Sequence, residues 1–268
     1  MLNDLRRRFS KFIYRLLALS GIRVPVNLLM RVTRQNFTPA VVELPRAKNV
    51  LVLAPHMDDE TIGCGGAIRI HVSRSERVQV VFVTDGSRGF EHDVLNAHRT
   101  EELCAIRKRE ASKACEMLGV SKIHYLGLPD GRSEATGDAV AKLLSIVDEV
   151  QPDLIYLPFI TDSHHDHLAT NQIFLAAVES GGSIASSMCC CYEVWTPLHP
   201  NCVVDITAHI EEKMAALACY DSQLEMNNYL SSVRGLNAYR AIANSSQGYA
   251  EAYYLTTARD YLSLSSLL

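Results

Sequence analysis

Short apolar runs alternate with longer stretches of helical periodicity along most of this 268-residue chain, and that alternation is the tightest constraint on its fold. Strands are predicted at 49–55, 77–84, 122–127 and 154–159, with helices at 63–74, 98–118, 137–150 and 167–180 between and after them. Further strands are expected near 188–195 and 202–207, then a helix across 208–221. The runs Val50-Leu51-Val52-Leu53-Ala54 and Leu154-Ile155-Tyr156-Leu157 are apolar at every position, as strands buried on both faces are. Such a pattern gives an α/β fold with a doubly wound, mostly parallel, Rossmann-like sheet. No repeat, low-complexity tract or linker divides residues 45–225, and 48% of the chain is apolar, so a single domain with a sizeable core is expected there. Residues 1–44 read as a basic amphipathic extension, and 226–268 as a carboxy-terminal segment that packs on or covers the site.

Two of these strands run directly into metal-ligand residue types. The first ends in His56-Met57-Asp58-Asp59-Glu60 and the second in Asp162-Ser163-His164-His165-Asp166-His167. Open α/β sheets bind ligands beyond the carboxyl ends of their strands. Three adjacent carboxylates repel one another unless a cation or a proton offsets them. The alternative for Asp58 or Asp59 alone is a helix N-cap. A second strand end with the same chemistry favours the metal: His56, one Asp and one later histidine make three protein ligands with a fourth position open to water, the pattern of a catalytic zinc.

In order and spacing the chain resembles the zinc-dependent de-N-acetylases, which include the N-acetylglucosaminyl-phosphatidylinositol de-N-acetylases and bacterial enzymes that deacetylate glucosaminyl thiols. The resemblance covers about residues 47–225. It rests on His56-x-Asp58-Asp59-Glu60, Thr84-Asp85-Gly86, Arg107-Lys108-Arg109-Glu110, Leu118-Gly119-Val120, His164-x-Asp166-His167 and Ser222-Gln223. It implies one Zn²⁺ per chain held by His56, Asp59 and His167. It further implies Asp58 as general base, His164 over the developing oxyanion, Asp166 orienting a histidine, and Arg107 and Asp85 at the substrate. The implied reaction is hydrolysis of the acetamide of an N-acetylglucosamine-type sugar conjugate, releasing acetate and a free amine. The family usually carries proline where this chain has Met57, and proline stiffens a turn through its fixed φ.

The chemistry read from the residues agrees. Amide hydrolysis near neutral pH needs an activated water, a carboxylate base and a donor to the oxyanion, and no Gly-x-Ser-x-Gly elbow offers a covalent route. Another metal-dependent hydrolase, such as an amidase or phosphoesterase, and a non-catalytic sugar-binding relative are the alternatives. Gly63-Cys64-Gly65-Gly66 lacks a dinucleotide fingerprint or Walker lysine and reads as close packing of helix on strand. Asp130-Gly131-Arg132 follows the third strand, as a substrate contact or only a turn. The eight cysteines contain no Cys-x-x-Cys pair and read as small buried thiols in a reducing cytoplasm.

Net charge is −4, which argues against nucleic-acid binding through a basic surface. The charge is unevenly spread. Residues 1–35 hold eight arginines and lysines against Asp4 alone, a net of +7 that leaves −11 for the rest. Phe9, Phe12, Ile13, Leu16 and Leu17 fall at helical spacing there. The segment is too short and too charged to span a bilayer, but suits a helix lying on an anionic membrane surface or packed on the domain. Each basic residue near such a surface contributes about 1 kcal/mol, weakened by salt. Deleting residues 1–24 is therefore expected to abolish salt-sensitive binding to anionic vesicles while sparing turnover of a soluble substrate. A full-length chain that ignores such vesicles assigns the segment to the core or to a partner interface.

Overall fold

The computed structural model describes residues 39–88, 97–225, 227–244 and 247–266. The basic amino-terminal segment expected to form an amphipathic helix lies outside them. The elements are β1 (Ala40–Val41), β2 (Asn49–Ala54), α1 (Asp59–Ser73), β3 (Arg77–Thr84), α2 (Ala97–Leu118), β4 (Lys122–Leu128), α3 (Gly137–Val150) and β5 (Leu154–Pro158). They continue with α4 (His165–Glu179), β6 (Met188–Tyr192), β7 (Cys202–Asp205), α5 (Ile210–Leu217), α6 (Asp221–Leu224), α7 (Tyr229–Arg240), β8 (Ala250–Thr257) and α8 (Ala258–Ser265).

One eight-stranded sheet has the order β1-β7-β8-β6-β5-β2-β3-β4. Its pairs are parallel except those of β8, which runs antiparallel to both β6 and β7. Side chains alternate along a strand, and the central strands divide accordingly. Val50, Val52 and Ala54 join the core under α1 and α5, whereas Leu51 and Leu53 join the opposite core with residues of α3 and α4. Cys190 faces the first core, Cys189 and Cys191 the second, and all eight cysteines are free thiols.

The chain leaves β2 for β3 and β4 on one side, then returns through α3 to lay β5 on the other side of β2. Val50–Val52 pair with Leu154–Tyr156, so the two metal-ligand strand ends open side by side at the point where strand order reverses. That is where open α/β sheets bind ligands.

Two helices begin earlier than their periodicity predicts. α1 starts at Asp59 and α4 at His165, so the acidic and histidine clusters occupy first turns rather than loops. Carboxylates in a first turn meet the positive end of the helix dipole, which offsets the low helix propensity of the cluster. The strand β8 was not legible in advance. Its Glu251 accepts the Gly66 and Ala67 amides at 2.8 Å, the Lys213 ammonium at 2.7 Å and the Tyr253 hydroxyl at 2.6 Å. Those amides are freed because α1 is broken at Cys64, with φ −146° and ψ 22°.

The glycine-rich turn does pack helix on sheet: a Cβ on Gly63 would strike the Tyr192 ring, and one on Gly66 would lie 2.6 Å from Ile206. Tyr192 is fully buried and its hydroxyl donates to the Leu53 carbonyl at 2.8 Å, so the ring is not free to swing aside. Alanine gains about 1 kcal/mol over glycine in a helix, while overpacking costs about 1–3 kcal/mol. With the added Cβ driven into the ring, the cost lies at the upper end of that range, so Gly63→Ala is expected to lower the urea midpoint at unchanged m-value, a net loss of up to about 2 kcal/mol. A midpoint equal to or above wild type would show that Tyr192 can relocate.

Candidate active site

Beyond the ends of β2 and β5 the two clusters meet. The Asp59 Oδ2 atom accepts the His56 backbone N–H at 2.8 Å and lies 3.1 Å from His56 Nδ1 and 3.2 Å from His167 Nε2. The other His56 nitrogen, Nε2, is 2.9 Å from Asp166 Oδ2 and 3.5 Å from Asp130 Oδ1. Two sets of donors lie within 4.8 Å of one another and could hold a metal ion: His56, His164 and His167, and His56, Asp130 and Asp166.

Asp58, Asp59, Glu60, Asp130, Asp162 and Asp166 are all buried here, with the Arg107 guanidinium among them. So dense a set of carboxylates draws protons onto the histidines. Burial disfavours the His56 cation, yet its hydrogen bonds to Asp166 and Asp59 hold the ring up at about 10. His167 is likewise raised to about 9 against the cost of burial, chiefly by the Asp59 charge. Despite burial, His167 and His56 drive Asp59 far below the usual carboxylate range. A divalent cation would supply the same compensation. His167 is the test of fit: both ring nitrogens are buried, sit 3.1–3.2 Å from Asp162 and Asp59, and make no aligned hydrogen bond. Buried imidazole nitrogens with no aligned hydrogen bond, beside carboxylate oxygens, are donors of the kind that hold a divalent metal ion.

Asp58 differs from its neighbours. Its backbone sits at φ 144°, ψ −27°, a strained region for a residue with a side chain. The peptide is fastened on both sides, its N–H donating to Glu60 Oε2 at 3.2 Å and its carbonyl accepting from Thr61 and Ile62. Glu60 is itself held by Thr61 and by the Tyr220 hydroxyl. Burial and the Asp59 charge push the Asp58 carboxyl up to about 8. The Tyr229 phenol of α7 is raised by burial and then by the charges of Asp58 and Asp59.

His164 caps α4 through its ring: Nδ1 accepts the Asp166 N–H at 3.2 Å. The neutral tautomer consistent with that bond carries its proton on Nε2. Burial and the nearby His56 and His167 charges lower its pKa, so the neutral ring is favoured.

The remaining expected residues are tied to the turns around the cluster. Arg107, 3% exposed, donates to Asp130, to the Arg88 carbonyl and to the Met57 carbonyl. Asp85 Oδ1 accepts the Ser87 and Asp130 amides. Asp162 was assigned no role in the sequence, although it stands within the second cluster. It accepts the His164 and Trp195 amides at 3.1 Å and lies 3.1 Å from His167 Nδ1. Asp130, flagged as substrate contact or turn, bridges His56 and Arg107.

Residues 51–178 match the family model PIG-L, described as GlcNAc-PI de-N-acetylase. A diacetylchitobiose deacetylase from Thermococcus kodakarensis is 27% identical over 190 residues, covering 66% of this chain and 70% of that protein. A 4-oxalmesaconate hydratase from Pseudomonas putida is 26% identical over 218 residues, covering 74% and 84% respectively. The solved N,N'-diacetylchitobiose deacetylase from Pyrococcus horikoshii superposes with a TM-score of 0.69 at 25% identity, covering 90% of this chain and 96% of that one.

Asp166 permits a test by pH. It accepts from Gly131 N–H at 2.7 Å and from Ser133 N–H and hydroxyl at 3.1 and 2.5 Å. Burial alone would raise its pKa, but the bonds from His56, Ser133 and Gly131 hold it well below its ordinary 3.8. The folded state therefore gives up this proton more readily than the unfolded chain, and the stabilisation is present above pH 3.8 and lost as pH falls below it. In Asp166→Asn that share of the acid loss should be missing, and stability at pH 7 should fall by about 1–3 kcal/mol. Urea titrations between pH 7 and 3 measure both, and equal acid slopes in the two proteins would contradict this account.

Proposed function

We propose that this chain, which belongs through residues 51–178 to the PIG-L family of GlcNAc-PI de-N-acetylases, hydrolyses the acetamide of an N-acetylglucosamine-type sugar conjugate to acetate and a free amine. The observation that supports this most directly is the pairing of an unbonded, strained Asp58 carboxyl with the buried His56, Asp59 and His167 side chains at the switch point of the sheet.

In this reading His56, Asp59 and His167 hold one Zn²⁺ per chain. When bound, the metal lowers the pKa of water from about 15.7 to about 7 and polarises the amide carbonyl. Asp58 takes the proton of the attacking water and passes it to the departing amine. Its anchored peptide keeps the carboxylate aimed, and burial keeps its basicity near neutral. His164 donates Nε2–H to the oxyanion as the carbonyl carbon becomes tetrahedral. Asp166 and Asp162 fix the ring orientations of His56 and His167, the usual work of a carboxylate behind a metal-binding histidine. Arg107 and Asp85 face the substrate, Arg107 reaching it or the departing acetate, from the Met57 and Asp130 turns they are bonded to. Residues 45–225 carry the reaction, and 226–268 lend Tyr229 to its rim.

The basic segment 1–35 fits peripheral attachment at the cytoplasmic membrane face; among the described residues no helix is long and apolar enough to cross a membrane. The hydratase relative supports one other reading, in which the same activated water adds across a carbon–carbon double bond.

Asp58→Asn should retain zinc and lose about 10²–10⁴ in kcat, since an amide cannot accept the water's proton. Asp59→Asn should instead lower zinc content per chain. Acetate released from a panel of N-acetylhexosamine conjugates measures the rate, and metal analysis the occupancy. If both variants hold zinc and turn over as wild type does, these roles are wrong; hydration of an unsaturated diacid with no acetate release would favour the hydratase.

A further inference from the structure

Trp195 is the one tryptophan of the chain, and it stands beside the catalytic centre with 51% of its surface exposed. A single exposed aromatic is ordinary on a protein surface. Three features set this one apart. Its ring stacks on His164, centroids 5.8 Å apart and planes inclined by 21°. Its backbone N–H donates to Asp162 Oδ2, the carboxylate that also accepts the His164 amide and faces His167 Nδ1. The next residue closes the loop: Thr196 Oγ1 lies 3.1 Å from both the amide and the hydroxyl of Ser163. On the far side of the loop Glu193 is paired with Arg240 and accepts the Leu198 amide. The backbone that carries the indole is thus anchored beside the site, with the ring set against His164.

From this geometry we infer that Trp195 is the platform for the aglycone ring of the substrate, and that the chain prefers N-acetylglucosamine conjugates whose aglycone is itself a polyhydroxylated ring. The inference rests on the proposed deacetylase reading. One indole face lies against His164, so the exposed half includes its outer face, one ring farther from the oxyanion position than His164. A group stacked there is not the residue bearing the acetamide but the one attached to it. A pyranose or cyclitol offers a face of C–H groups to a large aromatic ring, with its hydroxyls left at the edge in water. An acyclic acid or a methyl group offers no such face. Because the loop that carries the platform is already anchored, little backbone ordering is lost on binding. Stacked aromatic pairs are worth about two- to tenfold in binding, and a C–H face on the indole is expected to act on the same scale.

The experiment uses the full chain loaded with zinc and four substrates: N,N'-diacetylchitobiose, the inositol glycoside, the malate glycoside and the methyl glycoside of N-acetylglucosamine. In wild type the ring aglycones should have higher kcat/KM than the other two, and the first two separate a sugar from a cyclitol. In Trp195→Ala that ratio should fall about three- to tenfold, carried by KM, and Trp195→Phe should restore most of it. A fall in kcat shared by all four substrates would mean that Trp195 only braces His164, and would overturn the inference.

The lone indole supplies a second readout independent of turnover. Titrating Asp58→Asn with diacetylchitobiose should change tryptophan emission in intensity and shift it to shorter wavelength, and the methyl glycoside should do so weakly. Acetate release without any emission change would reject the platform while sparing the deacetylase; an emission change without acetate release in wild type would reject the deacetylase while sparing ring binding at Trp195.

Discussion

One carboxylate oxygen organises this site. Asp59 Oδ2 gathers the His56 amide, His56 Nδ1 and His167 Nε2 within 2.8–3.2 Å, and it can do so only because β2 and β5 are neighbours in register. Six buried carboxyl groups crowd this point with one buried arginine among them. The site offsets their charge by raising His56 and His167, and a bound dication would offset it by displacing those protons. A metal held at these nitrogens would compete with their protons, so its affinity would rise with pH.

Much of this was legible because its signals are periodic or chemically dense. Fully apolar runs marked β2 and β5, and His and Asp at both strand ends marked the centre. The parts that escaped are those where tertiary contact decides. The starts of α1 and α4 were placed too late because charged clusters look like loops until the sheet fixes them as first turns. Asp162 stood in plain view among histidines, but its role depends on the Trp195 amide 33 residues away. Trp195 itself carries no pattern; its meaning comes from lying on His164.

The strand β8 shows the same limit from the other side. Its sequence, Ala250-Glu251-Ala252-Tyr253-Tyr254, places a carboxylate where a buried strand should be apolar, which hides it. In the fold Glu251 is 1% exposed and fully satisfied by Lys213, Tyr253 and two amides released by the break in α1. An unpaired charge there would be severely destabilising, whereas this one is matched on every side. The break and the strand thus require each other. A segment nearly two hundred residues downstream helps set the direction in which α1 leaves the turn that carries His56 and Asp59.

Met57 can be understood in the same terms. Where the family usually has proline, this chain has a flexible side chain at the turn that must hold Asp58 at φ 144°. A proline ring would restrict the preceding backbone directly. Here the restriction comes from packing. Met57 is fully buried, its carbonyl accepts from Arg107 Nη2 at 3.3 Å, and a Cβ at Gly86 would lie 2.8 Å from its Cε. Gly86 has φ +72°, so that position both needs and tolerates the missing side chain. Stiffness that one covalent ring supplies elsewhere is distributed here over a methionine, an arginine and a glycine from three separate segments. The strained Asp58 peptide is held by that packing on one side and by Glu60 on the other, which ties the aim of the proposed base to the integrity of the core beneath it.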